Sequence, residues 1–260
     1  MENVKADTQP AVRKRFPWTE LALYMAGGFG VFTIASAAVG FWGPTAGLWP
    51  VILVVLCNLL FIGGSAWYLG VLRKATTWEE IGIFPIRWRW RWLGIALALT
   101  LVLMPLRGLI GLLVSMLVEG GMQSLQNRAD LLMGTGTSFS TLEIIVRLVG
   151  VGLLVPISEE LYFRGMLHRL FIPFLKFWPR VLLSSTLFAL AHFDSPGVVV
   201  SSFIMAVVIA IAYERTKSLW MPIAIHATTN TIAVLLLFAA TALQNSPLMN
   251  DILLIMGNFK

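Results

Sequence analysis

The residues of this chain that could do chemistry are acids, histidines and an amide within otherwise apolar stretches. They are Glu159, Glu160 and Arg164 in PISEELYFRG, His192 at the end of FALAH, and His226 and Asn230 in HATTN. An ionisable side chain inside a bilayer costs several kcal/mol, so such residues usually mark a functional site. These three stretches are therefore the candidates for a reaction or for binding.

Spacing along a helix indicates which of these side chains share a face. Glu160 and Arg164 are four residues apart, so they face the same way and can form an ion pair. Glu159 points about 100° away from Glu160 and is free for another role. Two further couples have the same i, i+4 spacing: Phe188 with His192, and His226 with Asn230.

The residue types fit peptide-bond hydrolysis. Glu159 close to His192 would take a proton from a water molecule that attacks a peptide carbonyl, which is general-base catalysis. His226 and Asn230 would donate hydrogen bonds to the oxyanion, and the Glu160 ion pair would compensate charge. A glutamate with two histidines is also a zinc-binding set, so Glu159, His192 and His226 are the ligands to expect if a metal is bound. No H-E-x-x-H motif is present, so three helices would have to assemble that site.

The composition of the chain predicts the membrane around these residues. Of 260 residues, 58% are hydrophobic and 12% are charged, and the mean hydropathy is +0.82. The charged share is about half of the ~25% usual for soluble proteins, which excludes a soluble domain and a disordered chain. At about 20 residues per span there is room for roughly six to eight helices. We therefore predict an all-α, polytopic membrane bundle of about seven transmembrane helices.

Seven apolar segments are predicted to span the membrane. They are residues 21–39, 50–72, 93–118, 142–171, 180–194, 197–213 and 219–242. This predicts a cytoplasmic arm at 1–20, N-terminal membrane helices at 21–118, a catalytic membrane core at 142–242 and a tail at 243–260. Residues 76–92 alternate Trp and Arg at their end, which is typical of an interfacial segment. Residues 248–256 are too short to span.

The positive charges predict the orientation of the chain. With the N-terminus in the cytoplasm, most of the 19 Lys and Arg residues fall on the cytoplasmic side, as the positive-inside rule requires. The cytoplasmic ones are Lys5, Arg13, Lys14, Arg15, Arg73, Lys74, Arg87, Arg89, Arg91, Arg164, Arg169, Lys176, Arg180, Arg215 and Lys217. Arg128 and Lys260 fall outside, and Arg107 and Arg147 lie within spans. The expected location is a multi-pass membrane protein, with a bacterial plasma membrane favoured.

Depth along the predicted spans brings the polar groups to one layer. At 1.5 Å per residue, Glu159 and His192 both lie roughly 18 Å from the cytoplasmic face. His226 lies about 10 Å and Asn230 about 16 Å from that face. Three separate helices would thus deliver their polar groups near the middle of the membrane.

The ordered motifs resemble those of the CPBP intramembrane protease family, the group of CAAX prenyl proteases and bacteriocin-processing enzymes also called the abortive-infection family. The resemblance rests on Glu159-Glu160-x-x-x-Arg164, Phe188-x-x-x-His192 and His226-x-x-x-Asn230 on successive hydrophobic segments. It covers about 142–230, roughly a third of the chain. The stretch EELYFRGML is similar to the family's typical run.

The resemblance implies an all-helical membrane fold with a cavity open toward the cytosol. It implies hydrolysis near the C-terminus of a membrane-associated or prenylated peptide, or removal of a leader. By motif position Glu159 and His192 would activate water, while His226 and Asn230 would form the oxyanion hole. The family has been described as metalloproteases, with a metal-free glutamate mechanism as the alternative. We expect no cofactor, because Asn230 is a poor zinc ligand and a good oxyanion donor, although zinc stays open.

Three further polar residues of the sequence have predicted roles of their own. Arg107, after Pro105, is a candidate for binding a substrate carboxylate, and His168 is expected at the membrane interface. Ser158 lacks a matching base and is not expected to be a nucleophile.

Two alternative functions are a non-catalytic membrane partner, such as a bacteriocin-immunity or scaffold protein, and a transporter with a proton relay through Glu159 and His192. The lipid bilayer and a membrane-anchored peptide are the expected partners, no nucleic acid is expected, and the sequence is silent on oligomeric state.

Overall fold

The computed structural model describes residues 16–42, 47–86, 88–118, 120–133 and 139–244. Most of the predicted arm at 1–20 and of the tail at 243–260 lies outside these residues. The described part is a bundle of helices, which confirms the predicted all-α membrane fold.

The helices are numbered in chain order. They are α1 Trp18–Phe41, α2 Trp49–Leu72, α3 Arg91–Leu117, α4 Gly121–Met133, α5 Thr141–Phe171, α6 Phe177–Leu190, α7 Pro196–Thr216 and α8 Trp220–Leu243. In the described part of the chain, six of them are long and apolar enough to cross a membrane: α1, α2, α3, α5, α7 and α8. The amphipathic α4 lies between two of the predicted spans and was not itself predicted.

The predicted fifth span is the short helix α6, which has 14 residues. At 1.5 Å per residue it is about 21 Å long, less than the ~30 Å of the bilayer's hydrocarbon core. It still connects the two ends of the bundle. Arg180, in its first turn, bonds Glu214 at the end of α7, whereas Asp194, just beyond its last turn, accepts a hydrogen bond of 2.6 Å from Arg128 of α4.

Contacts between helix ends define the two ends of the bundle. At one end the ring of Phe16 stacks on Phe171 at 6.0 Å, and Arg73 lies 3.8 Å from Glu20. This end, which carries residues 73–86, 88–90 and 172–176, is called the basic end. The opposite end carries Gly47, α4 and residues 191–195, and there the rings of Phe139 and Phe238 meet at 4.8 Å.

Small residues allow the helices that hold the site to pack closely. A Cβ added at Gly197 of α7 would lie 2.2 Å from the carbonyl oxygen of Gly111 in α3. A Cβ at Gly152 of α5 would lie 2.8 Å from Oγ1 of Thr231 in α8. Close backbone approach through small residues is the usual way in which membrane helices associate.

Two local features set the course of α5, the helix with the paired glutamates. Ser140 and Glu143 form a capping box at its N-terminus, which satisfies backbone N–H groups that the first turn leaves free. The α-helical stretch Val155–Glu160 lies between π-helical turns at Arg147–Leu154 and Leu161–His168. Such turns are uncommon and are frequent at functional sites.

Residues 78–83 pack against the basic end of the bundle. The carbonyl of Gly82 accepts a hydrogen bond of 3.1 Å from the backbone N–H of Leu219, and the indole of Trp220 donates to Ile83 at 3.0 Å. Ile81 is 2% exposed. This part of the predicted interfacial segment therefore covers the connection between α7 and α8.

Candidate active site

Glu160 is the centre of a buried polar cluster between α5 and α8. Its Oε1 accepts a hydrogen bond of 3.1 Å from Nη1 of Arg164, which is the ion pair predicted from the i, i+4 spacing. The same oxygen lies 2.7 Å from Nδ1 of His226. Glu160 and Arg164 are fully buried, and Nη2 of Arg164 donates to the carbonyl of Ala206 at 3.1 Å. Helices α5, α7 and α8 are thus joined around one carboxylate.

His226 also faces the neighbouring glutamate. Its Nε2 lies 3.7 Å from Oε2 of Glu159. Because Nδ1 donates to Glu160, Nε2 is the nitrogen that faces Glu159. The other carboxylate oxygen of Glu159 accepts a hydrogen bond of 3.1 Å from Nδ2 of Asn58 in α2. The glutamate is therefore held from two sides.

Phe188 packs between the polar groups and is fully buried. The guanidinium of Arg164 lies 4.7 Å from its ring centre, a cation–π contact. The rings of His192 and His226 lie 5.0 and 5.6 Å from it. The ring of Phe188 therefore separates the two histidine rings.

His192 lies in the turn after α6. Its Nδ1 donates to the carbonyl of Phe188 at 3.0 Å, so the neutral ring keeps the lone pair on Nε2. In the described part of the chain no hydrogen bond or ion pair joins His192 to Glu159. The sequence predicted these two side chains as partners, but the carboxylate of Glu159 instead lies beside His226.

Asn230 and Arg107 are the remaining predicted site residues. The amide nitrogen of Asn230, one turn after His226, donates to the carbonyl of Val151 at 3.2 Å. Nε of Arg107 donates to the carbonyl of Ser201 at 2.8 Å, and Nη1 lies 3.1 Å from the sulfur of Met205. Among the described residues, no carboxylate lies within ion-pair distance of Arg107.

A cavity of about 1320 Å³ connects the predicted site residues. Its walls include Glu159, His192, His226, Asn230 and Arg107. Glu160 and Arg164 lie behind this wall. The arrangement separates a cavity-facing carboxylate from a buried one, as the 100° offset between adjacent helical residues requires.

The candidate metal ligands do not assemble in this arrangement. No three His, Cys, Asp or Glu side chains of the described residues converge on a point where they could hold a metal ion. Glu159, His192 and His226 therefore form no such group.

The structure adds one site residue that the sequence did not predict and shows the surroundings of another. Asn58 was not among the predicted residues, although a lone amide in an apolar span is itself a signal. His168, expected at the membrane interface, is fully buried among the helices near the basic end. Its ring bonds Ser184 and Glu214, both at 2.8 Å, so partners on α6 and α7 satisfy it.

Comparison with protein families agrees with the motifs. Residues 141–232 match the family described as type II CAAX prenyl endopeptidase Rce1-like. Residues 141–232 of this chain are thus similar to the CAAX protease family. No curated protein and no solved structure matches the chain. The matched segment runs from the first turn of α5 into α8, so it contains the three predicted motifs, and it points to a peptide hydrolase in general.

Proposed function

We propose that this protein is an intramembrane endopeptidase that hydrolyses a peptide bond of a membrane-associated or prenylated substrate. The observation that carries the proposal is the position of Glu159. Its carboxylate faces the large cavity, accepts a hydrogen bond from Asn58 and lies 3.7 Å from Nε2 of His226. A carboxylate held in this way in the wall of a large cavity is suited to take a proton from water.

Charge balance indicates how many protons the site holds. Glu159 and Glu160 bring two negative charges and Arg164 brings one positive charge. A buried charge without compensation is costly, so one more proton on the Glu159–His226 pair makes the four-residue group neutral. Placed on Nε2 of His226, this proton leaves Glu159 ionised and ready to act as a base.

The proposed reaction uses these groups in order. Glu159 accepts a proton from a water molecule as the water oxygen attacks the peptide carbonyl carbon. Nε2–H of His226 donates to the oxyanion that develops. The C–N bond then breaks, and Glu159 passes its proton to the leaving nitrogen. The products are a new carboxyl end and a free amine, and the enzyme returns to its starting state.

His192 and Asn230 have assisting roles in the proposed reaction. Nε2 of His192 carries a lone pair and would accept the second hydrogen of the attacking water, which orients the water oxygen. The amide of Asn230 has a second N–H group besides the one bonded to Val151, and this group would donate to the oxyanion. Glu160 and Arg164 act as positioning residues, because they contact His226 rather than the cavity.

Arg107 would bind a carboxylate of the substrate. It lines the same cavity as Glu159, and its bonds to Ser201 and Met205 are to uncharged atoms. A cation within a membrane span is stabilised when an anion joins it. The terminal carboxylate of a short peptide tail is an anion of suitable size and shape.

A cleavage assay with matched variants tests the proposal. The purified protein is incubated in detergent with membrane-tethered and prenylated peptides, with and without a chelator. Glu159→Gln is expected to lose activity by at least about 100-fold, since general-base catalysis contributes that much or more. Asp130→Asn, which makes the same carboxylate-to-amide change elsewhere in the cavity wall, is expected to stay active.

The outcomes separate the competing explanations. Equal cleavage by the Glu159→Gln and unaltered proteins would overturn the proposed role of Glu159. Loss of cleavage in the chelator with recovery in zinc would replace the metal-free mechanism by a metal-dependent one. Failure of every peptide to be cleaved, with both proteins folded, would favour a non-catalytic membrane partner.

A further inference from the structure

The large cavity occupies only one half of the bundle. Its walls run from Glu159 and His226 toward Gly47, α4 and Asp194 at the opposite end. In α1 its lining begins at Phe32, past the middle of that helix, and the residues nearer the basic end do not line it. The cavity therefore has its floor at the two site residues and extends away from the basic end.

Packed side chains fill the bundle between the site and the basic end. Leu167, His168, Leu219 and Ile225 are fully buried there. Residues 78–83 cover the helix ends, and the carbonyls of Gly82 and Ile83 accept hydrogen bonds from the start of α8 and the residue before it. A second cavity of about 310 Å³ at the basic end is lined by other residues, among them Glu80, and shares none with the large cavity. The site is thus separated from the basic end by closely packed protein.

Nine of the thirteen Lys and Arg residues in the described part of the chain lie at the basic end. They are Arg73, Lys74, Arg89, Arg91, Arg169, Lys176, Arg180, Arg215 and Lys217. Arg107 and Arg164 lie within the bundle, and the opposite end has Arg128 and, buried within α5, Arg147. Lys and Arg accumulate on the cytoplasmic side of membrane proteins. This rule assigns the basic end to the cytoplasm.

We propose that the active-site cavity opens on the non-cytoplasmic side of the membrane. The substrate is then a membrane-anchored peptide whose cleaved end lies on that side, rather than a tail in the cytosol. The claim that a peptide is cleaved in this cavity rests on the proposed protease function, whereas the side on which the cavity opens is argued from charge and packing. The family resemblance implies an opening toward the cytosol, and this chain differs from that expectation.

Thiol labelling in cells tests the sidedness without any need for activity. The single cysteine, Cys57, is first replaced by alanine. New cysteines are then introduced one at a time, as Asn127→Cys on α4, Lys176→Cys at the basic end and Val54→Cys in the cavity wall. Intact bacterial spheroplasts and inverted membrane vesicles that contain these variants are treated with a membrane-impermeant, negatively charged methanethiosulfonate reagent.

We expect the reagent to modify the Asn127→Cys and Val54→Cys variants in spheroplasts and the Lys176→Cys variant in inverted vesicles. Labelling of the Lys176→Cys variant in spheroplasts, or of the Val54→Cys variant only in inverted vesicles, would overturn the proposal. Equal labelling of the Asn127→Cys and Lys176→Cys variants from both sides would overturn it as well. Full labelling after denaturation in detergent serves as the control that each thiol is reactive.

A cleavage step distinguishes this proposal from the proposed function. A membrane-impermeant peptide with a lipid anchor is added to spheroplasts and, separately, to inverted vesicles that contain the protein. Cleavage only in spheroplasts is expected. If the labelling pattern is as expected but no peptide is cleaved, the sidedness stands and the protease function fails. Cleavage only in inverted vesicles would leave the protease function and overturn the sidedness.

Discussion

Nδ1 of His226 lies 2.7 Å from Oε1 of Glu160, and this one contact ties α8 to α5 in the middle of the bundle. The same carboxylate oxygen receives Nη1 of Arg164 at 3.1 Å. Because Glu160 occupies Nδ1, the other imidazole nitrogen is directed toward Glu159. The buried Glu160 therefore positions His226, which in turn faces the cavity-lining Glu159.

The first prediction concerns the buried ion pair. Glu160→Gln is expected to destabilise the protein by roughly 3–5 kcal/mol, because it leaves the guanidinium of Arg164 buried without its carboxylate. Thermal unfolding in detergent measures this change. The double variant Glu160→Gln/Arg164→Met is expected to regain most of the stability, since both charges are removed together. It should remain poorly active because His226 has lost its charged acceptor, and full activity in the double variant would exclude a positioning role for Glu160.

The second prediction compares two neighbours of Glu159. Asn58→Leu removes the amide that donates to Glu159, and a hydrogen bond to a charged group is worth about 1.5–3 kcal/mol, so activity should fall roughly 10–100-fold. Ser158→Ala removes a hydroxyl that bonds Asn58 and the carbonyl of Val155, and activity should stay within about tenfold. Initial cleavage rates at saturating substrate measure both. Complete loss of activity in Ser158→Ala would indicate instead that this serine is a nucleophile.

The third prediction uses two adjacent glycines of α2. A Cβ at Gly63 would lie 2.8 Å from Cβ of Ser158, the residue before Glu159. A Cβ at Gly64 would come no closer than 3.6 Å to its nearest neighbour, the carbonyl oxygen of Leu59. Gly63→Ala should force α2 and α5 apart, with a loss of about 1–3 kcal/mol in stability and a lower cleavage rate. Gly64→Ala is the control and should resemble the unaltered protein. Similar unfolding temperatures for the two variants would show that α2 and α5 can move apart at little cost in stability.

Much of the fold and part of the site could be predicted from local sequence. Apolar runs gave the membrane helices, since a span of about 20 apolar residues is itself the physical requirement of a bilayer. The Glu160–Arg164 pair followed from i, i+4 spacing, because both residues belong to one helix. The length of α6 was less well predicted, because its apolar run continues past the point where the helix ends at Leu190.

Contacts between helices could not be predicted in the same way. The choice of His226 rather than His192 as the partner of Glu159 depends on how α5 packs against α8. The burial of His168 likewise depends on Ser184 and Glu214, which other helices supply. Depth in the membrane can be counted from a sequence, but the direction of a side chain toward a neighbouring helix cannot.

The fourth prediction tests Arg107 as a substrate-binding residue. If its guanidinium binds the terminal carboxylate of the peptide, the unaltered protein should prefer a peptide acid over the same peptide amide by about 10–100-fold in kcat/KM, the value of a charged hydrogen bond. Arg107→Met should abolish this preference mainly through a higher KM for the acid. Arg128→Gln is the matched control, because Arg128 also lines the cavity but is already paired with Asp194 at 2.5 Å. A preference for the acid that persists in Arg107→Met and disappears in Arg128→Gln would assign carboxylate binding to α4 instead of α3.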